Sequence, residues 1–77
     1  MVLSDLKVGQ TGCILGVTDA GTLGKRLLDM GFTPGALVNV LTRAPGGETM
    51  LVELRHTAVI LRREEASCVL ITRANVQ

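Results

Sequence analysis

The sequence predicts a mainly β protein: a small antiparallel barrel of about five strands, with one α-helix after the first strand and a short helical turn before the last. Two patterns lead to this prediction. The stretch that ends in residues 27–35 has apolar residues at helical spacing and then stops at glycine and proline. After it, short aliphatic and β-branched runs alternate with turn-forming segments, which is typical of strands in a small closed sheet.

The composition indicates one small domain that covers residues 1–77. Hydrophobic residues make up 47% of the 77-residue chain, whereas aromatic residues make up only 1%. A chain of this size removes only about 60% of its unfolded surface from water when it folds. The core therefore has to be built efficiently from Leu, Val, Ile, Ala and Met.

Charge and hydropathy argue against several classes of partner. The net charge is +1, the acidic and basic residues are interspersed, and Phe32 is the only aromatic residue, so neither a basic footprint nor a stacking platform for nucleic acid is present. The apolar runs are much shorter than the roughly 20 residues that span a bilayer, and the N-terminus does not resemble a secretory signal. The chain is therefore expected to be soluble and cytoplasmic.

The first strand is predicted at Cys13–Thr18, and Gly16 within it suggests a bulge or a sharp bend. Before this strand lies a polar, glycine-containing turn. Its apolar anchors are expected to lie under the sheet: Leu3, Leu6 and Val8.

The helix is predicted at Thr22–Met30. Leu23, Leu27 and Met30 share one face, so all three are expected to point towards the core. Asp19 or Thr22 is expected to cap the helix start with a side-chain oxygen. Leu28 lies off this apolar stripe and is expected to be exposed.

The remaining elements follow as strands joined by short turns. A hairpin is predicted across Ala44–Glu48, a tight connection at Arg55–Thr57, and a polar, frayed tail from Arg73. The elements themselves are predicted at Ala36–Arg43, Met50–Leu54, Ala58–Leu61, a helical turn within Arg62–Ser67, and Cys68–Thr72.

No residue pattern indicates catalysis, a cofactor or a metal centre. Cys13 and Cys68 lack a CxxC spacing and are each flanked by apolar residues, so reduced core thiols are expected, with a disulfide as the alternative. His56 is the only histidine, whereas ferrous sites favour two imidazoles and a carboxylate. No enzyme activity, no cofactor and no metal ligands are expected within one chain; the remaining alternative is that His56 shares a metal between two chains.

The chain resembles the ferrous-iron transport protein A family, FeoA, over nearly its whole length. The match is carried by motifs in a consistent order, namely Arg26-Leu27, Met30-Gly31-Phe32-Thr33-Pro34-Gly35, Val38 and Val40, Arg43-Ala44-Pro45 before Gly46-Gly47, Leu61-Arg62, and Glu65-Ala66. The resemblance implies an SH3-like barrel. His56 departs from the pattern, because the family often has glycine at that hairpin corner.

The resemblance also implies a function. It implies a cytoplasmic accessory protein that acts on FeoB, the large membrane transporter for ferrous iron, through its cytoplasmic GTP-binding portion. Related SH3-like domains occur in iron-dependent repressors, so the alternative is a metal-responsive regulatory or co-repressor-type domain that acts with a separate chain.

A protein-binding surface is predicted at the end of the helix, where Leu28, Met30, Phe32 and Pro34 concentrate apolar side chains. For Met30 and Phe32 the preferred interpretation is that they plug the end of the barrel. Leu28 is the residue most clearly expected at the surface. Self-association, through this patch or through an edge strand, is the competing use.

Overall fold

A computed structural model describes residues 1–74 and confirms the predicted order of elements. The strand and helix boundaries lie within two residues of their predicted positions. The elements are a short 3-10 helix at Leu3–Asp5, β1 at Thr11–Val17, α1 at Thr22–Asp29, β2 at Leu37–Arg43, β3 at Thr49–Leu54, β4 at Thr57–Arg62, α2 at Arg63–Ala66 and β5 at Val69–Arg73.

The five strands form one antiparallel sheet in the order β4-β3-β2-β1-β5. Two register shifts interrupt it, one between Ile14 and Gly16 in β1 and one between Val40 and Thr42 in β2. Bulges bend a strand and increase its twist, and this allows a small sheet to curl into an SH3-like barrel. The bulge predicted at Gly16 is confirmed.

One aliphatic core fills the concave side of the sheet. Strand β3 shows the predicted alternation, because Met50, Val52 and Leu54 are all buried while the residues between them are partly exposed. Phe32 is the largest fully buried side chain and lies in the same cluster. The single aromatic residue is thus used in the interior.

The N-terminal segment covers part of this core. Leu3 and Leu6 are fully buried as predicted, but the prediction for Val8 is wrong, because it is 56% exposed. Val8 precedes Gly9, which has a φ of 88° and donates its N–H to the carbonyl of Val40, so the chain turns away from the core there.

A guanidinium group holds this N-terminal segment against the sheet. Arg43, at the end of β2, donates from Nη2 to the carbonyl of Ser4 at 2.6 Å and also to the carbonyl of Leu6. Hydrogen bonds from a charged donor to buried carbonyls are among the stronger ones. Arg43, one of the residues that carry the family resemblance, therefore has a structural role.

The start of α1 differs from the prediction. The residue before the helix is Gly21, and no side-chain oxygen bonds to the amides of the first turn. The carboxylate of Asp19 instead accepts the N–H of Gly21 at 2.6 Å, so it orders the loop rather than the helix. Gly24 packs so closely that a Cβ there would lie 1.7 Å from the carbonyl oxygen of Asp19.

Neither cysteine belongs to the fully buried core. Both are free thiols and both are half-buried. Cys13 alternates with the buried residues Gly12 and Ile14, and so lies on the outer face of β1. Cys68 packs against the edge of the core just before β5.

The predicted tail lies only partly within the described residues. Arg73 ends β5, and Ala74 donates its N–H to the carbonyl of Thr11 at 3.0 Å. Residues 75–77 lie outside the described residues.

Candidate protein-binding surface

The end of α1 is built as a Schellman motif. The N–H of Phe32 bonds to the carbonyl of Leu27 at 3.1 Å, and the N–H of Gly31 bonds to the carbonyl of Leu28 at 3.0 Å. Gly31 has a φ of 107°, a conformation that residues with a Cβ rarely adopt. These are the two hydrogen bonds and the glycine that define this type of helix end.

This motif decides where the predicted surface residues point. It returns the chain to the core, so Phe32 packs with Leu27 in the buried cluster and has no exposed surface. The prediction that Phe32 belongs to the binding surface is wrong, because a fully buried side chain cannot contact a partner. Its interpretation as a plug for the barrel end is confirmed.

Met30 shows the opposite outcome. Its predicted place in the core is wrong, because its side chain is 38% exposed. The helix ends at Asp29 and Met30 is the capping residue, so the third position of the apolar stripe lies at the very end of the helix. Phe32 fills the core beyond that point. Leu28 is 43% exposed, as expected.

The connection from α1 to β2 is a tight turn at Thr33–Ala36. The N–H of Ala36 bonds to the carbonyl of Thr33 at 3.1 Å, and Gly35 has a φ of 90°. Proline at the second position and a positive-φ glycine at the third are characteristic of a type II turn. Gly35 also donates its N–H to Ile14 at 2.8 Å, which fixes the turn to β1 and leaves Pro34 exposed.

Leu28, Met30 and Pro34 therefore form the helix-end surface. With 3.6 residues per turn, Leu28 and Met30 project roughly 100° and 60° to either side of the buried Leu27, so they flank the core-facing stripe on its two sides. A partner that contacts both has to approach the end of the helix rather than one of its long faces.

Charged side chains surround this surface on α1. Lys25, Arg26 and Asp29 are all exposed, and Lys25 lies three residues before Leu28, on the same side of the helix. The apolar surface thus has a polar rim with more positive than negative charge, and an apolar centre with a polar rim is the usual arrangement of a protein interface.

Arg55 adds a positive charge near this surface, and no pattern in the sequence predicts its position there. Arg55 lies in the loop between β3 and β4, and its Nη2 donates to Oγ1 of Thr33 at 2.9 Å. The two residues are 22 positions apart in the chain and meet only because the sheet brings the two loops together. Arg55 thus links the β3–β4 hairpin to the turn that carries Pro34.

His56, the next residue of this hairpin loop, lines a shallow hollow of about 360 Å³ together with Arg55, Leu37, Asn39 and Glu53. Asn39 hydrogen-bonds to Glu53 at 3.4 Å and also to Thr11. Within residues 1–74, no three His, Cys, Asp or Glu side chains are grouped as metal ligands would be.

The charged turn at residues 62–65 has structural contacts. Glu65 accepts the N–H of Arg62 at 2.8 Å, and Arg63 donates to the carbonyls of Gly47 at 2.9 Å and Gly46 at 3.0 Å. Arg63 thereby holds the β2–β3 loop against α2.

In the part of the chain that the structure describes, no helix has the length and apolarity needed to cross a membrane.

Comparisons with known proteins place this architecture in a family. The family model described as the FeoA domain matches residues 1–73. A fusion of Fe(2+) transport protein A with the Fe(2+) transporter FeoB, from Porphyromonas gingivalis, is 36% identical over 67 residues; the match covers 87% of this chain and 8% of the fusion protein. The chain thus spans less than a tenth of that relative's length.

Two solved structures share the fold at a similar level of identity. FeoA from Chlorobium tepidum is 31% identical, with a TM-score of 0.89 and coverage of 97% of this chain and 71% of that one. FeoA from Stenotrophomonas maltophilia, an SH3 domain protein solved as a zinc complex, is 32% identical, with a TM-score of 0.85 and coverage of 94% and 89%. The chain therefore belongs to the FeoA family of small SH3-like domains associated with Fe(2+) transport.

Proposed function

We propose that this chain is a cytoplasmic accessory protein of ferrous iron uptake that binds the cytoplasmic GTP-binding portion of a FeoB-type transporter. Its role is that of a binding module, and the chemistry of transport belongs to the partner. The observation that carries the proposal is the helix-end surface of Leu28, Met30 and Pro34, which is exposed although two of its residues have large apolar side chains.

The rigidity of this surface supports a docking role. The Schellman motif fixes the end of α1, and the bonds from Gly35 to Ile14 and from Arg55 to Thr33 fix the turn that carries Pro34. A backbone that is held in place before binding loses little conformational freedom on association. When a partner covers exposed apolar groups arranged in this way, their removal from water stabilises the complex.

The family relationship supports the choice of partner. In the Porphyromonas gingivalis relative, the matching segment and the transporter FeoB are parts of a single fusion protein. Covalent fusion keeps two modules at a high effective concentration, which favours contact between them. A separate chain with the same fold needs a surface with affinity of its own, and we assign the helix-end surface to that role.

The test is a calorimetric titration of the purified protein with the isolated GTP-binding domain of the FeoB-type transporter from the same organism. Leu28→Asp places a charge within the helix-end surface, and we expect it to weaken binding at least tenfold, or about 1.4 kcal/mol. Leu41→Asp is the matched control, because Leu41 is likewise 43% exposed but lies on β2. That variant should bind as tightly as the unmodified protein.

Two outcomes contradict the proposal. Absence of binding by the unmodified protein, with either GDP or a GTP analogue on the transporter domain, removes the transporter as the partner. Equal affinities for Leu28→Asp and the unmodified protein, with both folded by circular dichroism, show that any binding surface lies elsewhere on the barrel.

A further inference from the structure

The two edges of the sheet are treated differently. The outer edge of β5 is covered by the N-terminus, because Val2 forms a bridge with Leu70 and the N–H of Ile71 bonds to the carbonyl of Met1 at 2.9 Å. Strand β4 is the opposite edge, and β3 is its only strand neighbour among residues 1–74. Open edges are sites at which another strand can add to a sheet.

The geometry of the β3–β4 hairpin shows which backbone groups of β4 are open. Arg55 and His56 have φ values of 52° and 67°, as in a two-residue type I′ loop. Such a loop is closed by a hydrogen-bonded pair, here Leu54 and Thr57. Because hydrogen-bonded pairs alternate along an antiparallel ladder, the N–H and C=O groups of Val59 and Leu61 also bond to β3. The N–H and C=O groups of Ala58 and Ile60 therefore point to the open edge.

No group within residues 1–74 hydrogen-bonds to these edge atoms of Ala58 and Ile60 outside the β3 ladder. The next edge donor, the N–H of Arg62, is already bonded to the carboxylate of Glu65 at 2.8 Å. The free part of the edge is thus a segment with two donors and two acceptors, bounded by the hairpin loop on one side and by Arg62 on the other.

The side chains along this edge are also suited to association. Ile60 is 69% exposed, the highest value among the large apolar residues, and it lies beside Leu51, with Leu41 in the neighbouring bulge. Residues 57–61 include no charged residue and no proline, the features with which proteins usually prevent edge-to-edge pairing. The backbone groups and the apolar surface are therefore open at the same place.

We propose that β4 pairs antiparallel with β4 of a second copy of this chain, around a two-fold axis at Val59. In this register Ala58 of each copy lies opposite Ile60 of the other, and all four free N–H groups and all four free C=O groups of the two segments are in paired positions. This register uses only backbone groups that are unbonded within one chain. A shifted register would need the N–H of Arg62, which is already bonded to Glu65.

Side chains agree with this register on both faces. Val59 of the two copies face each other on the inner side, next to the core that Val59 already contacts. On the outer side, the two Ile60 residues become diagonal neighbours and extend the apolar surface formed with Leu51. Arg62, the only charged residue of β4, lies beyond the paired segment in each copy and opposite the hairpin loop of the other copy, so the two Arg62 side chains do not meet.

The short edge sets the expected strength. Five residues of strand span only about 17 Å, so the interface falls below the roughly 1,200 Å² typical of stable complexes. The dimer should therefore be a weak, reversible one that forms in the upper micromolar range. It uses a surface separate from the helix-end surface, so it stands independently of transporter binding.

Sedimentation velocity between about 10 µM and 1 mM tests the association, since weak interfaces of this kind dissociate within that range. The unmodified protein should shift from monomer to dimer. Ala58→Pro removes one edge N–H that β3 does not use, and Ile60→Lys brings two like charges together, so each should weaken association at least tenfold. Leu15→Lys is the matched control, because Leu15 is 57% exposed but lies on the interior strand β1.

Two further measurements identify the register. A mixture of Ile60→Lys and Ile60→Glu proteins should recover the dimer, because the diagonal neighbours then carry opposite charges. Amide exchange at Ala58 and Ile60 should slow as the concentration rises, while exchange at Val59 and Leu61 stays unchanged because β3 already protects them.

A monomer at 1 mM overturns the proposal. Association that survives Ile60→Lys at unchanged strength also overturns it, as does association that Leu28→Asp abolishes, because the contact then lies on the helix end. If Ala58→Pro does not fold, the lysine variant and the exchange measurement still decide the question.

Discussion

The amide of Phe32 bonds to the carbonyl of Leu27 at 3.1 Å, and both side chains are fully buried in the same core cluster. This contact closes the end of α1 and turns the chain back over the barrel. Leu28 and Met30, which lie between the two in the chain, remain 43% and 38% exposed. One helix ending therefore both completes the core and presents the surface that we assign to partner binding.

Gly31 should be essential to that ending. Its φ of 107° is strained for any residue with a Cβ, and an added Cβ would lie 3.3 Å from Cδ2 of Leu54. We expect Gly31→Ala to lower the free energy of unfolding by about 1–3 kcal/mol, as is usual for strain of this kind. Urea unfolding measures the change.

Gly16→Ala is the control for this experiment, because a Cβ at Gly16 would meet no atom within 4 Å and its φ is not positive. That variant should change stability much less. If the two variants are equally stable, the positive φ at Gly31 does not limit stability and the explanation of the helix ending is wrong.

Gly24→Ala should reverse the usual effect of alanine in a helix. Alanine has a helix propensity about 1 kcal/mol better than glycine. At Gly24, however, the new Cβ would lie 1.7 Å from the carbonyl oxygen of Asp19, so the helix or the loop has to move. Forced movement in a packed region costs about 1–3 kcal/mol and outweighs the propensity, so thermal unfolding should occur at a lower temperature.

Lys25→Ala provides the helix control, since Lys25 is exposed and neighbours Gly24. Its effect should stay within about 0.5 kcal/mol, as for most surface substitutions. An increase in stability for Gly24→Ala would show that the loop at Asp19 yields easily, contrary to the close packing seen here.

His56→Gly should stabilise the protein. Type I′ loops need a positive φ at both central positions, and His56 has a φ of 67°. Glycine takes this conformation without the steric cost that a Cβ brings, and we expect a gain of about 0.5–1 kcal/mol in the free energy of unfolding by urea.

Arg55→Gly is the comparison variant for His56→Gly. It relieves the same kind of backbone strain at a φ of 52°, but it removes the 2.9 Å hydrogen bond to Thr33. Its gain should therefore be smaller. A loss of stability in His56→Gly would indicate that the imidazole makes favourable contacts in the hollow that it lines with Glu53.

Most of the architecture could be predicted because its signals are local. Alternation at Met50, Val52 and Leu54 predicted a half-buried strand, and Gly31 and Pro34 predicted the end of the helix. The residues whose burial was predicted wrongly lie where one element meets another. Met30 follows the helical stripe in sequence, but the helix ends before the core can cover it, and Val8 lies where the chain turns away at Gly9.

The candidate surface was predictable only in part for the same reason. Leu28 could be assigned to the surface from its position off the apolar stripe. For Phe32 the sequence favoured the barrel end but left the surface open, because an aromatic residue after a helix can pack inward or outward. The Schellman bonds to Leu27 and Leu28 decide this point. Two hydrogen bonds join residues that are distant in the chain: Arg55 bonds to Thr33, and Arg43 bonds to the N-terminal segment. Residue spacing in the sequence cannot predict such contacts.

By itself, then, the sequence determined the order of strands and helices, the aliphatic character of the core and membership of a family, since each depends on neighbours in the chain or on motif order. Only the tertiary structure decided which apolar residues stay exposed and which sheet edge stays open. Burial depends on what packs above a residue, and Val2 covers β5 whereas nothing within residues 1–74 pairs with the outer edge of β4. Leu28 and Ile60 are both aliphatic and both exposed, and the fold places them on two separate surfaces with two separate proposed partners.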